Sequence, residues 1–323
     1  MKKKISLVIG ANGQIGSVLT ASLREKNGID TVIATDIRSI ETLDSEGHFE
    51  LLDALDGERL KQLVMRYGVT EIYHLAAILS ATGEKMPLKA WQLNMDSLLN
   101  VLEVSRKFDL KVFFPSSIAV FGDTTPKRLT PQVTVMQPTT IYGISKVSGE
   151  SWCHYYHEKY DLDVRSVRYP GIIGYQSLPG GGTTDYAVEI YHAAVKGEAY
   201  SCFLNAQTNL PMMYMEDAVR ATMELMEAPS TSINVRSSYN IAAMSFTPAE
   251  IAAEIKKLYP DFKVTYAPDF RQAIASSWIE SIDDSNARAD WGWNPQFNLN
   301  TMTQDMLQNL GDYYRSLATS DSK

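Results

Sequence analysis

Short apolar runs and longer amphipathic stretches alternate along the first 170 residues. The runs at 5–9, 31–35, 71–75, 111–116 and 164–168 are short and contain β-branched or aromatic residues, and a further one at 49–52 precedes Asp53. Apolar runs of that length suit strands covered on both faces. Between several of them, 14–25, 57–67 and 88–107 carry helical periodicity. This alternation predicts parallel strands joined by crossover helices, an α/β doubly wound parallel sheet of the Rossmann type. After Pro170 the alternation loosens. Residues 177–185 are rich in glycine and threonine and predict a mobile loop. Helical stretches at 186–196, 216–226 and 248–259, with short strands near 199–203 and 239–242, predict a smaller C-terminal α/β substrate cap over the strand ends. The expected division is 1–170 for the sheet and 171–323 mainly for the cap, with room for some cap segments to return to the sheet.

Composition narrows the function classes. A chain of 323 residues with 45% hydrophobic and 21% charged content is an ordinary globular protein, and its net charge of −8, with no basic run, argues against nucleic acid as a partner. Cys153 and Cys202 show neither disulfide-framework nor zinc spacing. The histidines (His48, His74, His154, His157 and His192) lack cysteine partners at ligand spacing, and the i, i+3 pair His154/His157 fits one face of an amphipathic helix, so no metal is expected. Lys2–Lys4 resemble a signal-peptide start, but the apolar run that follows ends at Gly10 and reads as a strand. No stretch approaches the ~18 apolar residues of a membrane span. A soluble, cytoplasmic protein without membrane partners is expected.

Candidate chemistry begins where the first strand meets the first helix, at Gly10-Ala11-Asn12-Gly13-Gln14-Ile15-Gly16. Gly10 suits a tight turn, Gly13 a close approach of backbone to a pyrophosphate, and Gly16 close helix–strand packing, with the helix N-terminus facing the phosphates. Asp36, at the end of the second strand, is placed to accept hydrogen bonds from adenosine ribose hydroxyls and to repel a 2′-phosphate. That favours NAD over NADP, against which Arg38 is the one nearby cation. Asp53 is placed to meet the adenine amino group, or alternatively to charge a helix N-terminus.

Three Tyr-x-x-x-Lys pairs occur, Tyr142/Lys146, Tyr155/Lys159 and Tyr259/Lys263. Such a pair puts a phenol and an ammonium on one helical face, where the charge can lower the phenol pKa for acid/base work. Pro260 ends any helix at Tyr259. Tyr155 points to a different face of the helix that Tyr142 opens. Tyr142, after Pro138-Thr139-Thr140, stands at the strand-end edge where ligands of such sheets bind, and Ser116-Ser117 end a central strand at the same edge. Those serines could equally serve as a cap or turn.

Gly10-x-x-Gly13-x-x-Gly16, His74-Leu75-Ala76-Ala77, Ser116 to Gly122 and Tyr142-Gly143-Ile144-Ser145-Lys146 resemble the extended short-chain dehydrogenase/reductases, relatives of UDP-galactose 4-epimerase. The resemblance covers nearly the whole chain. It implies that Ser117 polarises the substrate oxygen, that Tyr142 is the acid/base, that Lys146 holds the nicotinamide ribose, and that Asn94 is a structural asparagine near the cofactor. The expected cofactor set is Gly10, Asn12, Gly13, Gln14, Ile15, Gly16, Asp36, Arg38, Asp53, Leu75, Ala76, Ala77, Asn94, Tyr142 and Lys146.

Further stretches resemble the short-chain type of L-threonine 3-dehydrogenase: Leu79-Ser80-Ala81, Gly181 to Ala187, Leu210 to Tyr214 and Asp290 to Trp293. This implies NAD-dependent oxidation of L-threonine, with Ser80, Ser117, Tyr142 and Thr184 against the substrate. Ser80 and Thr184 would hold its carboxylate and amino groups, and the 180–185 loop would close over it. Trp278 is a further candidate that reads equally well as a packed aromatic. A homodimer is implied through the Tyr142 helix and 88–107. The rival within the family is a nucleotide-sugar epimerase or dehydratase, which must grip a diphosphate; the 177–214 segment supplies one lysine, Lys196, and no arginine. A rival from another class is an NAD-sensing protein that lost its chemistry, against which an intact Ser117, Tyr142 and Lys146 argue.

Overall fold

In the computed structural model, residues 3–39, 47–180 and 182–320 are described. The first strands alternate apolar side chains to opposite faces, and both faces are covered. Leu7, Ile9, Ile72, Val112 and Phe114 pack on one side, while Val8, Ala34, Tyr73, Phe113 and Val167 pack on the other. This is why β1 (Ser6–Ile9), β2 (Val32–Asp36), β4 (Glu71–His74) and β5 (Lys111–Ser117) carry mostly apolar residues, while the edge strand β3 (Phe49–Leu51) is only partly covered and β6 (Val164–Tyr169) buries Arg165, Ser166 and Arg168 among its apolar residues. Helices α1 (Gln14–Asn27), α2 (Gly57–Tyr67), α3 (Ser80–Lys85), α4 (Pro87–Phe108) and α5 (Ile141–Tyr160) lie between them. Leu60, Leu63, Leu98, Leu102 and Tyr156 cover the first face, and Leu19 and Leu23 the second.

Downstream come β7 (Gly171–Ile173), α6 (Tyr186–Lys196), β8 (Tyr200–Cys202), β9 (Leu210–Tyr214), α7 (Met215–Glu227) and β10 (Tyr239–Asn240). They are followed by β11 (Met244–Phe246), α8 (Pro248–Lys256), β12 (Val264–Tyr266), α9 (Phe270–Ser277), α10 (Ser285–Trp291) and α11 (Leu299–Ser320). The main sheet has seven strands in the order β10-β6-β5-β4-β1-β2-β3, every neighbouring pair parallel. A doubly wound Rossmann sheet is therefore the framework. Two smaller sheets, β11-β9-β7 and β12-β8, build the cap together with α6, α8, α9 and α11 around a separate apolar cluster.

Two segments expected in the cap lie elsewhere. The 216–226 helix is α7, whose Ala218, Val219, Ala221 and Leu225 pack with Leu19 and Leu23 of α1 on the second face of the main sheet. The 239–242 run is β10, which pairs in parallel with β6. An apolar stripe demands a partner surface but does not say which layer supplies it. β7, β9, β11 and β12 were not apparent in the sequence, being three to five residues long and without clear alternation. Among the described residues no helix is long and apolar enough to cross a membrane.

Candidate active site

A cavity of about 250 Å³ opens at the C-terminal ends of β1, β4 and β5, where ligands of such sheets bind. Gly10, Gly13, Gln14, Ile15 and Gly16 form one end of it. Gly10 has φ +86°, and a Cβ there would lie 2.8 Å from the Ala76 nitrogen; at Gly16 a Cβ would meet the Gly10 carbonyl oxygen at 2.1 Å. Only glycine fits either place. α1 is preceded by Gly13 at its N-cap, with no side-chain cap and no acidic residue in its first turn. Its first amides and positive dipole end thus face an open space suited to an anion.

Asp36 ends β2, where its Oδ2 accepts from the Asn12 amide at 3.0 Å and its Oδ1 from the Ile37 amide at 2.8 Å. The carboxylate therefore braces the glycine turn at the adenosine end. Asn12 Nδ2 donates to the exposed Arg38's carbonyl at 2.5 Å, and Asn12 Oδ1 is buried without a partner. Leu52 N donates to the Asp36 carbonyl, so Asp53 stands next to this edge. Its Oδ1 accepts from the Leu55 amide, and Asp56, not Asp53, caps α2. The alternative of Asp53 as the helix-terminal charge is therefore set aside. Leu75 and Ala77 line the cavity; Ala76 supplies the backbone against Gly10. Asn94 does not line the cavity: its Oδ1 accepts from the Ile78 amide and its Nδ2 donates to the Ile78 carbonyl and Ser145 Oγ. It shapes the chain between β4 and α3. These features fit a dinucleotide: an uncapped helix end, two places where only glycine fits, and a carboxylate at the far edge.

Ser117, Tyr142 and Lys146 converge on the same cavity. Thr140 caps α5 by accepting from the Gly143 amide, which sets Tyr142 in the first turn and Lys146 one turn on. Lys146 Nζ donates to the Pro115 carbonyl at 2.6 Å and lies 5.4 Å from the centre of the Tyr142 ring. Burial brings its pKa down to about 8, against the opposing pull of Cys153 and Glu150. Burial likewise pushes the Tyr142 phenol up to about 12, and only its hydrogen bond with Ser117 opposes this. The phenol is thus raised in the protein alone, and the lowering expected from the ammonium is not seen there: desolvation dominates and Ser117 is the group that opposes it. Ser117 Oγ also accepts from the Ala119 amide at 3.2 Å, capping the 3-10 turn Ile118–Val120, so it is both a cap and a cavity group. Tyr155 lies on the outer face of α5, exposed, in an aromatic group with Trp152, Tyr156 and Tyr160.

Ser80, Thr184 and Trp278 all line the cavity too. Thr184 packs beside Gly171, where a Cβ would lie 2.7 Å from its methyl. Thr183 was not singled out in the sequence, yet it lines the cavity with a buried hydroxyl that has no hydrogen-bond partner. Gly182 N is held by Asp185 Oδ2 at 2.8 Å, while Gly181, part of the loop expected to close over the substrate, lies outside the described residues.

Behind the cavity stands a charged group the sequence reading overlooked. Ser116 Oγ donates to Glu150 Oε1 at 2.5 Å, and Arg168 clasps Glu150 through Nε and Nη2 at 3.0 and 2.8 Å. All three are at most 2% exposed. The available signal was Glu150 one turn beyond Lys146 on α5, with Arg168 inside a strand that is buried along its whole length. Among the described residues no group of three or more His, Cys, Asp or Glu could hold a metal ion.

The sequence profile of the NAD dependent epimerase/dehydratase family matches residues 6–242. An uncharacterized epimerase/dehydratase of Staphylococcus aureus is 50% identical over 310 residues, 95% of this chain and 96% of that protein. Among solved structures, a GalE-like L-threonine dehydrogenase from Cupriavidus necator in its holo form is 58% identical, with TM-score 0.93, covering 95% of this chain and 99% of that one. A monomeric L-threonine 3-dehydrogenase from a metagenome is 47% identical, with TM-score 0.93, covering 96% and 99%.

Proposed function

Because the chain belongs to the NAD dependent epimerase/dehydratase family, we propose that it oxidises L-threonine at its β-carbon to 2-amino-3-oxobutyrate with NAD. The observation that carries this reading is the cavity's lining. It is small, walled by hydroxyls, backbone and apolar groups with Gln14 and Asp185 beside them, and Lys146 is the one basic residue among those lining it. A nucleotide sugar would bring a diphosphate that calls for arginines or lysines, whereas a small zwitterion does not. The similarity to L-threonine dehydrogenases points the same way.

Gly10 to Gly16, with Asp36, would hold NAD, which supplies a hydride acceptor beside Ser117 and Tyr142. Ser117 holds the β-hydroxyl oxygen, and Tyr142 takes its proton as the β-carbon is oxidised. Lys146, tethered to Pro115, keeps a positive charge beside the phenol and reaches the nicotinamide ribose. Ser80 and Thr184 hold the carboxylate and amino groups, fixing the β-carbon in place. A second copy would cover the outward faces of α4 and α5, where Leu88, Trp91, Trp152 and Tyr155 are exposed; sedimentation tests this, with a monomer as the other outcome.

The deciding assay follows absorbance of reduced NAD when the purified protein meets L-threonine, and in parallel separates the products formed from UDP-glucose by chromatography, because epimerisation leaves no net reduced NAD. Turnover of threonine is expected. Conversion of the nucleotide sugar with silence toward threonine overturns the reading.

A further inference from the structure

Trp278 reaches the cavity from the cap. It is the residue that ends α9, and it is 8% exposed while lining the same space as Ser117 and Tyr142. A helix that stops at a cavity wall leaves its last carbonyls without intrahelical partners, at the negative end of its dipole. α9 has no basic residue in its own last turn. Lys127 fills this place from the sheet domain. Its Nζ donates to the carbonyls of Ser276, Ser277 and Trp278 at 3.3, 2.6 and 3.0 Å. Its nearest carboxylate, Asp123, is 3.7 Å away and 74% exposed, a weaker partner in water.

Lys127 belongs to the chain that leaves β5 after Ser117, so the serine and the tryptophan wall are joined by one continuous segment. That segment is bonded to the one following Trp278. The Glu280 and Ser281 amides donate to the Lys127 carbonyl at 2.6 and 3.2 Å, and the Leu129 amide donates to Ser281 Oγ at 2.8 Å. The Thr130 amide donates to the Ser281 carbonyl at 3.0 Å. Within this junction Leu129 holds φ +44°, a conformation that a leucine keeps only where its surroundings enforce it. Among the described residues, Lys127 is this junction's one hydrogen-bonded link to the helix end itself.

We propose that Lys127 is a positioning residue: by gathering the last carbonyls of α9 it fixes the Trp278 wall of the cavity and so sets the room for the substituent on the reacting carbon. The kinetic part rests on the threonine reading; the positional part does not. Lys127→Met keeps the stem and removes the donors, and Lys127→Arg keeps donors at similar reach. In Lys127→Met the KM for L-threonine should rise roughly tenfold, with kcat within about threefold and NAD affinity unchanged, and the preference for threonine over serine should narrow. Lys127→Arg should restore most of it. Acrylamide quenching of tryptophan fluorescence should increase in Lys127→Met, and that increase should vanish when Trp278→Phe is added.

Should the wild type ignore threonine, the functional reading fails and the quenching comparison still decides Lys127. Should Lys127→Met not fold, Lys127→Gln takes its place in the same comparison. Unchanged quenching, or an increase that persists without Trp278, overturns the proposal. So does a loss of kcat and NAD affinity in parallel with KM.

Discussion

Lys146 donates through Nζ to the Pro115 carbonyl at 2.6 Å, which ties the ammonium facing the Tyr142 ring to the strand end that carries Ser117. Phenol, ammonium and hydroxyl are thereby held as one unit across α5 and β5. With burial holding Tyr142 at about 12 and Lys146 at about 8, both are protonated at neutral pH in the protein alone. Oxidation needs a phenol able to take a proton, so its rate should climb with pH. Ser117 lowers the phenol pKa through its hydrogen bond, so Ser117→Ala should move the climb to higher pH. Tyr142→Phe should cost roughly 10²–10⁴-fold in turnover with NAD affinity retained. Tyr155→Phe should be silent. Rate profiles against pH for the four proteins check this, and a Ser117→Ala profile rising at the same pH as wild type would count against it.

The buried pair Glu150–Arg168 bears on stability more than on chemistry. Both oxygens of Glu150 are engaged by Arg168, and Arg168 Nη1 also donates to Asn240 Oδ1 and the Gln132 carbonyl. Removing one charge leaves the other desolvated and unpaired, which costs about 3–5 kcal/mol, whereas removing both costs less. Glu150→Leu should therefore destabilise more than Glu150→Leu combined with Arg168→Met. Urea unfolding of the single and double variants measures the difference; equal losses that simply add would show that the pair is not coupled.

His74 gives an acid-stability prediction. It is 2% exposed, its Nε2 lies 3.1 Å from Ser97 Oγ, and burial, with the charge of Lys146, brings its pKa down to about 3. In the unfolded chain it titrates near about 6.5. The unfolded state thus binds the proton first, so this contribution to stability is complete above about 6.5 and falls as pH drops toward 3. Between pH 7 and pH 4 the loss should be on the order of 3 kcal/mol. His74→Gln should flatten that decline, whatever its effect at pH 7. Chemical denaturation at several pH values reads the slope, and an unchanged slope would remove His74 from the account.

The parts of this molecule that sequence made legible share a physical cause. The strands β1, β2, β4 and β5 are buried on both faces and therefore announce themselves as largely apolar runs, and Gly10 and Gly16 stand where a Cβ would strike backbone. Tyr142 could be separated from Tyr155 because helix geometry and Pro138-Thr139-Thr140 fix which one opens the helix. What stayed hidden depends on contacts between distant segments. Nothing in 216–226 says that its apolar stripe meets α1 and not the cap. Likewise Arg168 inside β6, Thr183 in the cavity wall and Lys127 at the end of α9 acquire meaning only once β5, α5 and the cap are placed together.

Cofactor choice provides the last prediction. Asp36 uses one lone pair of each oxygen on the Asn12 and Ile37 amides, and an ionised carboxylate has further sites to accept ribose hydroxyls. Its charge also opposes a 2′-phosphate, so NAD should be used far better than NADP. Asp36→Asn keeps an acceptor for the Asn12 amide while removing the charge, which separates repulsion from the bracing of the glycine turn. In that variant NAD use should weaken by about tenfold for the lost charge-assisted bonds, and NADP use should rise. Arg38 is exposed beside this edge, with its carbonyl already fixed by Asn12 Nδ2, so its guanidinium is free to approach a phosphate. Adding Arg38→Ala to Asp36→Asn should therefore lower NADP use again without further harm to NAD use. Initial rates with both cofactors across the three proteins measure the ratio. A ratio indifferent to Asp36→Asn would mean that another group reads the ribose.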